Sequence, residues 1–335
     1  MTRRTVVTTG LSLILALALV AGLVAVARLD MTALRHLVQS ARLDACCGLF
    51  LLVSLNALLA GEKWRLVDRH LGGGHLPRTH YGTFSVLGQA VGQVLPTQIA
   101  YALTRGAGTW LTHPSGATRS AAGTLVEQVF DLAVIAALAV ASLAALATGT
   151  PWVWLATAAV ALAALARLAG PALRLLERRV AAANRLSHNP VIAAFRRVLV
   201  SCLALDDGLV RQLIGLSILR FAVLCAMAAM TTLAGGFDIP LLQFVIALPL
   251  VVLAAVLPLT PAGLGVIEGT FVATLVAQGT PLETAIQWAL LNRVLVAASS
   301  GLAGVCAMVV ALVVGRRRVA MTVAEPGGAL VRTVQ

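Results

Sequence analysis

Charged side chains are what this chain most conspicuously lacks. Asp, Glu, Lys and Arg make up 11% of its 335 residues, while 59% of positions are hydrophobic; soluble globular domains carry about 25% charge. A water-soluble domain has no means of hiding so much apolar surface, so soluble enzyme folds are excluded and an integral membrane protein is implied. Lysine is nearly missing, Lys63 being the only one, and 13 acids face 25 Lys plus Arg for a net +12. In a membrane chain such an arginine excess points to orientation and anionic lipid, not to nucleic acid. The five cysteines, Cys46, Cys47, Cys202, Cys225 and Cys306, show no CxxC spacing, which leaves free thiols and no disulfide framework. His70, His75 and His80 lack ligand spacing, and neither a metal nor a cofactor is expected.

What is present is a series of long apolar runs, at 6–27, 45–61, 122–147, 151–169, 209–234 and 284–314. The first follows Arg3 and Arg4 and resembles a secretory signal. At about 22 residues, or about 33 Å of helix, it is long enough to span and reads as a retained anchor. Two more regions, 82–111 and 241–279, are apolar but broken, at Pro96 and at Pro258-Leu259-Thr260-Pro261-Ala262-Gly263. Each predicts two short helices, arranged either as a re-entrant hairpin or, in the second case, as two short full spans. The fold class is therefore all-α and polytopic, with six to eight transmembrane helices in one domain over 1–335.

The arginines orient it. With the N-terminus in the cytoplasm, the inner segments 1–4, 62–80, 113–121, 170–208 and 315–335 hold 17 basic residues and the outer segments three, as the positive-inside rule requires. A multi-pass protein of the cell membrane with both termini cytoplasmic is expected, ending in a basic tail at 316–335. The loop 170–208, with six arginines among apolar residues, fits either surface helices on the anionic leaflet or a solvated linker.

Counted this way, the order span, span, broken hairpin, span in 1–150 returns upside down in 151–315. Val94-Leu95-Pro96-Thr97 is echoed by Val256-Leu257-Pro258-Leu259-Thr260. Short proline-broken segments at matching places in two halves are a pointer to a transporter's midplane site.

Four ionisable residues fall in these central elements: Arg105, Glu127, Glu268 and Arg293. A lone charge at mid-bilayer costs about 2.5–3.5 kcal/mol even on insertion scales, so such groups pair or line a polar cavity. The halves reverse sign, the hairpin residue being basic and the next span acidic in the first half. We expect all four to meet centrally, the arginines holding a lipid phosphate and the glutamates orienting them; interfacial placement with snorkelling is the bland alternative. Around Pro261, Gly263 and Gly265 the glycines permit a tight turn with backbone N–H groups at a half-helix start, suited to an anion or simply to close packing. Thr97, behind Pro96, is a candidate cap for the other half-helix. Trp64, Trp110 and Trp152 fit interfacial anchors, and Asp131 stands one turn after Glu127 as a second acid.

These residues also resemble a known family. Trp64-Arg65-Leu66, Leu95-Pro96 with Arg105, Glu127 with Asp131, and the run from Pro258 to Gly269 followed by Arg293 resemble the flippase-like lysylphosphatidylglycerol synthase transmembrane-domain family. The chain departs from the family pattern at Ala100, Tyr101 and Ala102, and at Gln128. The resemblance implies translocation of an anionic phospholipid or polyprenyl-linked glycolipid between leaflets in envelope assembly, by a stand-alone unit without the aminoacyltransferase domain. Its partners would be those lipids and, in addition, envelope-lipid enzymes. An ion-coupled transporter of a small solute and a non-transporting scaffold are the rival readings. No nucleophile has an evident partner, so an enzyme is not expected.

Overall fold

The computed structural model describes residues 38–72, 76–112, 117–182, 202, 205–256 and 260–323. The anticipated first span at 6–27, the remainder of the 170–208 loop, Pro258 and the end of the basic tail lie outside the described residues. Nine α-helices make up almost all of the rest: α1 Leu43–His70, α2 Arg78–Val91, α3 Thr97–Thr112, α4 Ala117–Thr148, α5 Pro151–Ala182, α6 Asp207–Gly235, α7 Leu241–Val256, α8 Val266–Ala277 and α9 Leu282–Val323. Among the described residues there is no strand, and the protein is an all-α polytopic membrane protein. Four segments, Leu43–His70, Ser120–Thr148, Asp207–Gly235 and Leu282–Leu312, are long and apolar enough to cross a bilayer.

Both proline breaks are real. Helix α2 stops at Val91, and α3 restarts at Thr97 because the residue before a proline is steered out of the α region. The Pro96 carbonyl accepts the Ala100 N–H at 3.0 Å, so Pro96 itself occupies the cap position. Thr97, anticipated as a cap, lies one residue inside the helix and is exposed. Between α7 and α8 the chain makes a tight 3-10 turn at Pro261–Gly263. The four hairpin helices run 14, 16, 16 and 12 residues. At 1.5 Å per residue each is about 18–24 Å long, shorter than the ~30 Å hydrocarbon core.

Two boundaries differ from the sequence reading. Helix α1 does not end at 61 but continues to His70, because Lys63 turns inward and finds acidic partners instead of needing water. Helix α5 runs on past 169 through Gly170 and Pro171 to Ala182. Only its first part, Trp152–Leu165, is apolar, so it is a long helix with a basic extension instead of a span followed by a loop.

The packing follows the apolar stripes. Helices α1 and α6 lie against one another, as do α2 and α9, and α4 and α7. Trp288 of α9 is fully buried and ties the second hairpin to it, its ring 4.4 Å from that of Phe244 and 5.0 Å from that of Phe271. Leu51, Leu55, Val140, Leu143, Val305 and Val309 are exposed on the outside, as lipid-facing positions should be. Helices α2 and α3 meet at Gly88, where a Cβ atom would stand 2.7 Å from the Tyr101 ring.

Candidate functional site

Arg105 of α3 points into the interior and is wholly excluded from solvent. Its Nη1 donates to Glu127 Oε1 at 2.7 Å and to Thr124 Oγ1 at 3.4 Å, its Nε to Ser85 Oγ at 3.2 Å and its Nη2 to the Ala60 carbonyl at 3.1 Å. The guanidinium also sits over two aromatic faces, 4.6 Å from the Tyr101 centroid and 5.1 Å from that of Trp64. Hydrogen bonds from α1, α2 and α4 plus cation–π contacts offset the desolvation that an isolated arginine would suffer here. Trp64 is therefore no interfacial anchor. It is fully buried, unlike the exposed Trp110 and Trp152.

Beside this pair lies a second group that the sequence reading did not assemble. Lys63, fully buried, donates to Asp131 Oδ1 at 2.5 Å, to Ser217 Oγ at 2.8 Å and to the Glu127 carbonyl at 3.3 Å. Asp131 is shared with Arg220 of α6, whose Nη1 donates to Oδ2. Arg220 Nε reaches Asn56 Oδ1 at 3.2 Å, Asn56 donates to Gln89 Oε1 at 3.1 Å, and the Tyr101 hydroxyl donates to the same oxygen at 3.2 Å. Because Tyr101 lies against Arg105, the chain of contacts closes on itself as a polar ring joining α1, α2, α3, α4 and α6. Glu127 Oε2 is the one oxygen of this carboxylate without a hydrogen bond.

The second charged pair is built differently. Glu268 sits in the first turn of α8, and its Oε2 accepts the Gly265 N–H at 2.7 Å. The turn before it carries three left-handed residues, Ala262 at φ 52°, Gly263 at φ 67° and Gly265 at φ 77°. Glycine takes that conformation freely, whereas at Ala262 it costs about 1–2 kcal/mol. The Gly265 amide, foreseen as open to an anion, is held by the protein's own carboxylate. Arg293 of α9 lies 3.6 Å from Glu268 Oε1 through Nε. Its Nη1 donates to the Ala262 carbonyl at 3.3 Å and its Nη2 to the Gln93 carbonyl at 3.5 Å. One guanidinium thus touches the turns of both hairpins, by long contacts, with 21% of its side chain exposed. Glu268 Oε1 has no hydrogen bond.

The four central charges accordingly form two pairs, one per half, and no contact among the described residues joins Arg105–Glu127 to Arg293–Glu268. The first pair is sealed from solvent, with Glu127 Oε2 left without a hydrogen bond; the second is loose and reachable. Pro261 and Gly263 shape the turn that presents Ala262. The sequence reading does not include Lys63 or Arg220 in the site; Lys63 falls in a polar stretch that reads as a loop, and the structure places it inside α1. Arg220 does carry a linear signal: the apolar run 209–234 holds two charges, Arg211 near its start and Arg220 near its middle.

Fold and site together define a polytopic helical membrane protein in which each of two broken helical hairpins carries one member of an ion pair. Comparison with protein families matches residues 13–321 to the lysylphosphatidylglycerol synthase TM region, and the chain belongs to that family. Comparison with curated proteins finds no match.

Proposed function

We propose that this protein moves an anionic phospholipid or lipid-linked sugar between the leaflets of the cell membrane, in support of envelope assembly. The observation that carries this is Arg293, a partly exposed cation that contacts the turns of both hairpins and is only loosely held by its glutamate. A guanidinium forks readily onto phosphate. A headgroup phosphate that takes Arg293 away from the Gln93 and Ala262 carbonyls would free the two hairpin turns from one another. Membership of a family named for a phospholipid synthase supports a lipid as the cargo.

The packing supports two inverted halves. Contacts of α1 with α2, α2 with α3, and α3 with α4 are matched by α6 with α7, α7 with α8, and α8 with α9. Across the halves, α2 on α9 matches α7 on α4, α1 on α9 matches α6 on α4, and α1 packs on its own counterpart α6. A two-fold axis between related halves gives this pattern. The ion pairs occupy matching elements with reversed sign. The arginine distribution supports cytoplasmic termini; in this reading membrane lipids are the partners and the protein acts as a carrier, not an enzyme.

The test is reconstitution in vesicles containing headgroup-labelled anionic, aminoacylated or polyprenyl-linked lipid, with impermeant quenching of the outer leaflet. Movement of one of these classes well above protein-free vesicles supports the proposal. A protein that moves none of them, with or without an imposed proton gradient, overturns it in favour of a scaffold.

A further inference from the structure

The polar ring does not balance. Lys63, Arg105 and Arg220 bring three positive charges, and Glu127 and Asp131 bring two negative ones. Lys63 uses its ammonium fully: Ser217 passes its own hydroxyl proton to the Leu213 carbonyl at 2.9 Å and so accepts from Lys63, as do Asp131 and the Glu127 carbonyl. Three acceptors on one amine call for three N–H bonds, hence for the charged form. Glu127 and Asp131 each accept from guanidinium and count as carboxylates. One positive charge is left over inside an apolar protein, where an uncompensated ion is costly.

The excess has an outlet. Arg220 and Asp131 are the two members of the ring that are not closed off, with 18% and 23% of their side chains exposed. Arg220 bonds through Nε and Nη1, and its Nη2 carries no hydrogen bond among the described residues. The position is also telling. Arg220, Asp131 and Asn56 stand near the midpoints of α6, α4 and α1, three helices that contain membrane-spanning segments. At that depth a partly uncovered guanidinium facing lipid tails would be expensive, so its opening belongs to a polar cavity or to a ligand.

We propose that Arg220, backed by the unbalanced charge of the ring, is an oxyanion site at the middle of the membrane, taking the phosphate of a lipid headgroup or a free phosphate. Nη2 supplies the donors, Asn56 fixes the guanidinium plane through Nε, Asp131 is the internal anion with which a phosphate competes, and Lys63 and Arg105 supply the field. The site is distinct from Arg293, which touches the hairpin turns. As a station on a translocation path it rests on the function proposed above; as an anion site it does not.

The test is binding to the full-length protein in detergent, with phosphatidylglycerol followed by native mass spectrometry and inorganic phosphate by equilibrium dialysis. Diacylglycerol, which lacks the phosphate, is the control. Arg220→Met removes the excess charge and is expected to weaken phosphatidylglycerol binding at least tenfold, while Asp131→Asn raises the excess and is expected to tighten it several-fold. Diacylglycerol retention should follow neither change. Inorganic phosphate obeying the same order identifies a site for the free oxyanion; phosphatidylglycerol alone obeying it identifies a headgroup site. Unchanged binding in folded Arg220→Met, or weaker binding in Asp131→Asn, overturns the proposal. Should Arg220→Met fail to fold, Asp131→Asn decides alone, tightening supporting the site and anything else rejecting it. Arg220-dependent binding in a protein that moves no lipid keeps the site and rejects the path, whereas lipid movement without such binding rejects the site and leaves translocation standing.

Discussion

Removing either partner of the Arg105–Glu127 pair should be costly, and the structure says which removal costs more. In Arg105→Met the Glu127 carboxylate, only 2% exposed, loses the single bond it has to a side chain, since Oε2 is already without one. The formal charges of the ring then balance, yet Lys63 and Arg220 donate to Asp131, Ser217, Asn56 and the Glu127 carbonyl and not to this carboxylate. Breaking a buried pair so that a charge is left without its donor costs about 3–5 kcal/mol. In Glu127→Gln the guanidinium keeps Ser85, Thr124, the Ala60 carbonyl and two aromatic faces, and the amide oxygen can still accept from Nη1. The expected loss is then about 1–3 kcal/mol, the scale of one weakened buried hydrogen bond to a charged group. A charge-swapped Arg105→Glu/Glu127→Arg protein should be no better than either single variant, because a carboxylate at 105 has no N–H to donate to the Ala60 carbonyl and gains nothing from the ring faces of Trp64 and Tyr101. The double variant Arg105→Met/Glu127→Leu should recover part of the Arg105→Met loss. Thermal unfolding of the purified protein in one detergent, at one pH, measures all four. A Glu127→Gln protein less stable than Arg105→Met, or an Arg105→Met protein within about 1 kcal/mol of wild type, would refute the reasoning.

The other expectations are simpler. Gly88→Ala places a methyl group 2.7 Å from the Tyr101 ring and 2.8 Å from Thr104 Oγ1 and should cost about 1–3 kcal/mol by overpacking the first hairpin, read as a lower melting temperature. Glu268→Ala frees the Gly265 amide and should cost about 1 kcal/mol of helix capping, with hydrogen exchange rising at 263–269 before the rest of the chain. Asn56→Leu cuts the ring between Arg220 and Gln89 and should destabilise by about 1–3 kcal/mol, the cost of leaving buried polar groups unmatched. Maleimide should label Cys47, which is exposed near the start of α1, ahead of the buried Cys202 and Cys225, because the thiolate it reacts with forms in water; equal labelling of all three would contradict the packing.

Much of the fold was legible because the bilayer imposes it. Apolar runs have to be helices there, and Pro96 and Pro261 stand at the breaks, whereas Pro171 and Pro249 are carried inside α5 and α7. That Arg105, Glu127, Glu268 and Arg293 would need compensating partners followed from the expense of intramembrane charge; their division into two separate pairs did not. What the sequence hid was three-dimensional. Hydropathy falls at Gly61-Glu62-Lys63-Trp64-Arg65, which reads as a helix end, yet Asn56, Ala60, Lys63 and Val67 continue one buried face of α1 at spacings of four, three and four. The stripe was visible in the spacing and was masked by the polarity of the side chains it carries. Residues Tyr101 and Gln89 gave no linear sign of closing a ring with Arg220, because the links run between positions 33, 12 and 164 residues apart. The meeting of all four charges failed for a geometric reason: each hairpin arginine or glutamate packs on the helix that directly follows its hairpin.

The account turns on Arg293 as the group that releases the hairpin turns to a headgroup phosphate. Lipid movement in vesicles, measured for the wild type beside Arg293→Lys and Arg293→Ala, tests it most directly. Lysine keeps the charge but not the fork that spans Gln93 and Ala262. The expected result is rapid transfer of an anionic lipid by the wild type, a slower rate with lysine and loss with alanine, all three proteins melting within a few degrees of one another. Transfer at the wild-type rate by a folded Arg293→Ala protein would contradict it.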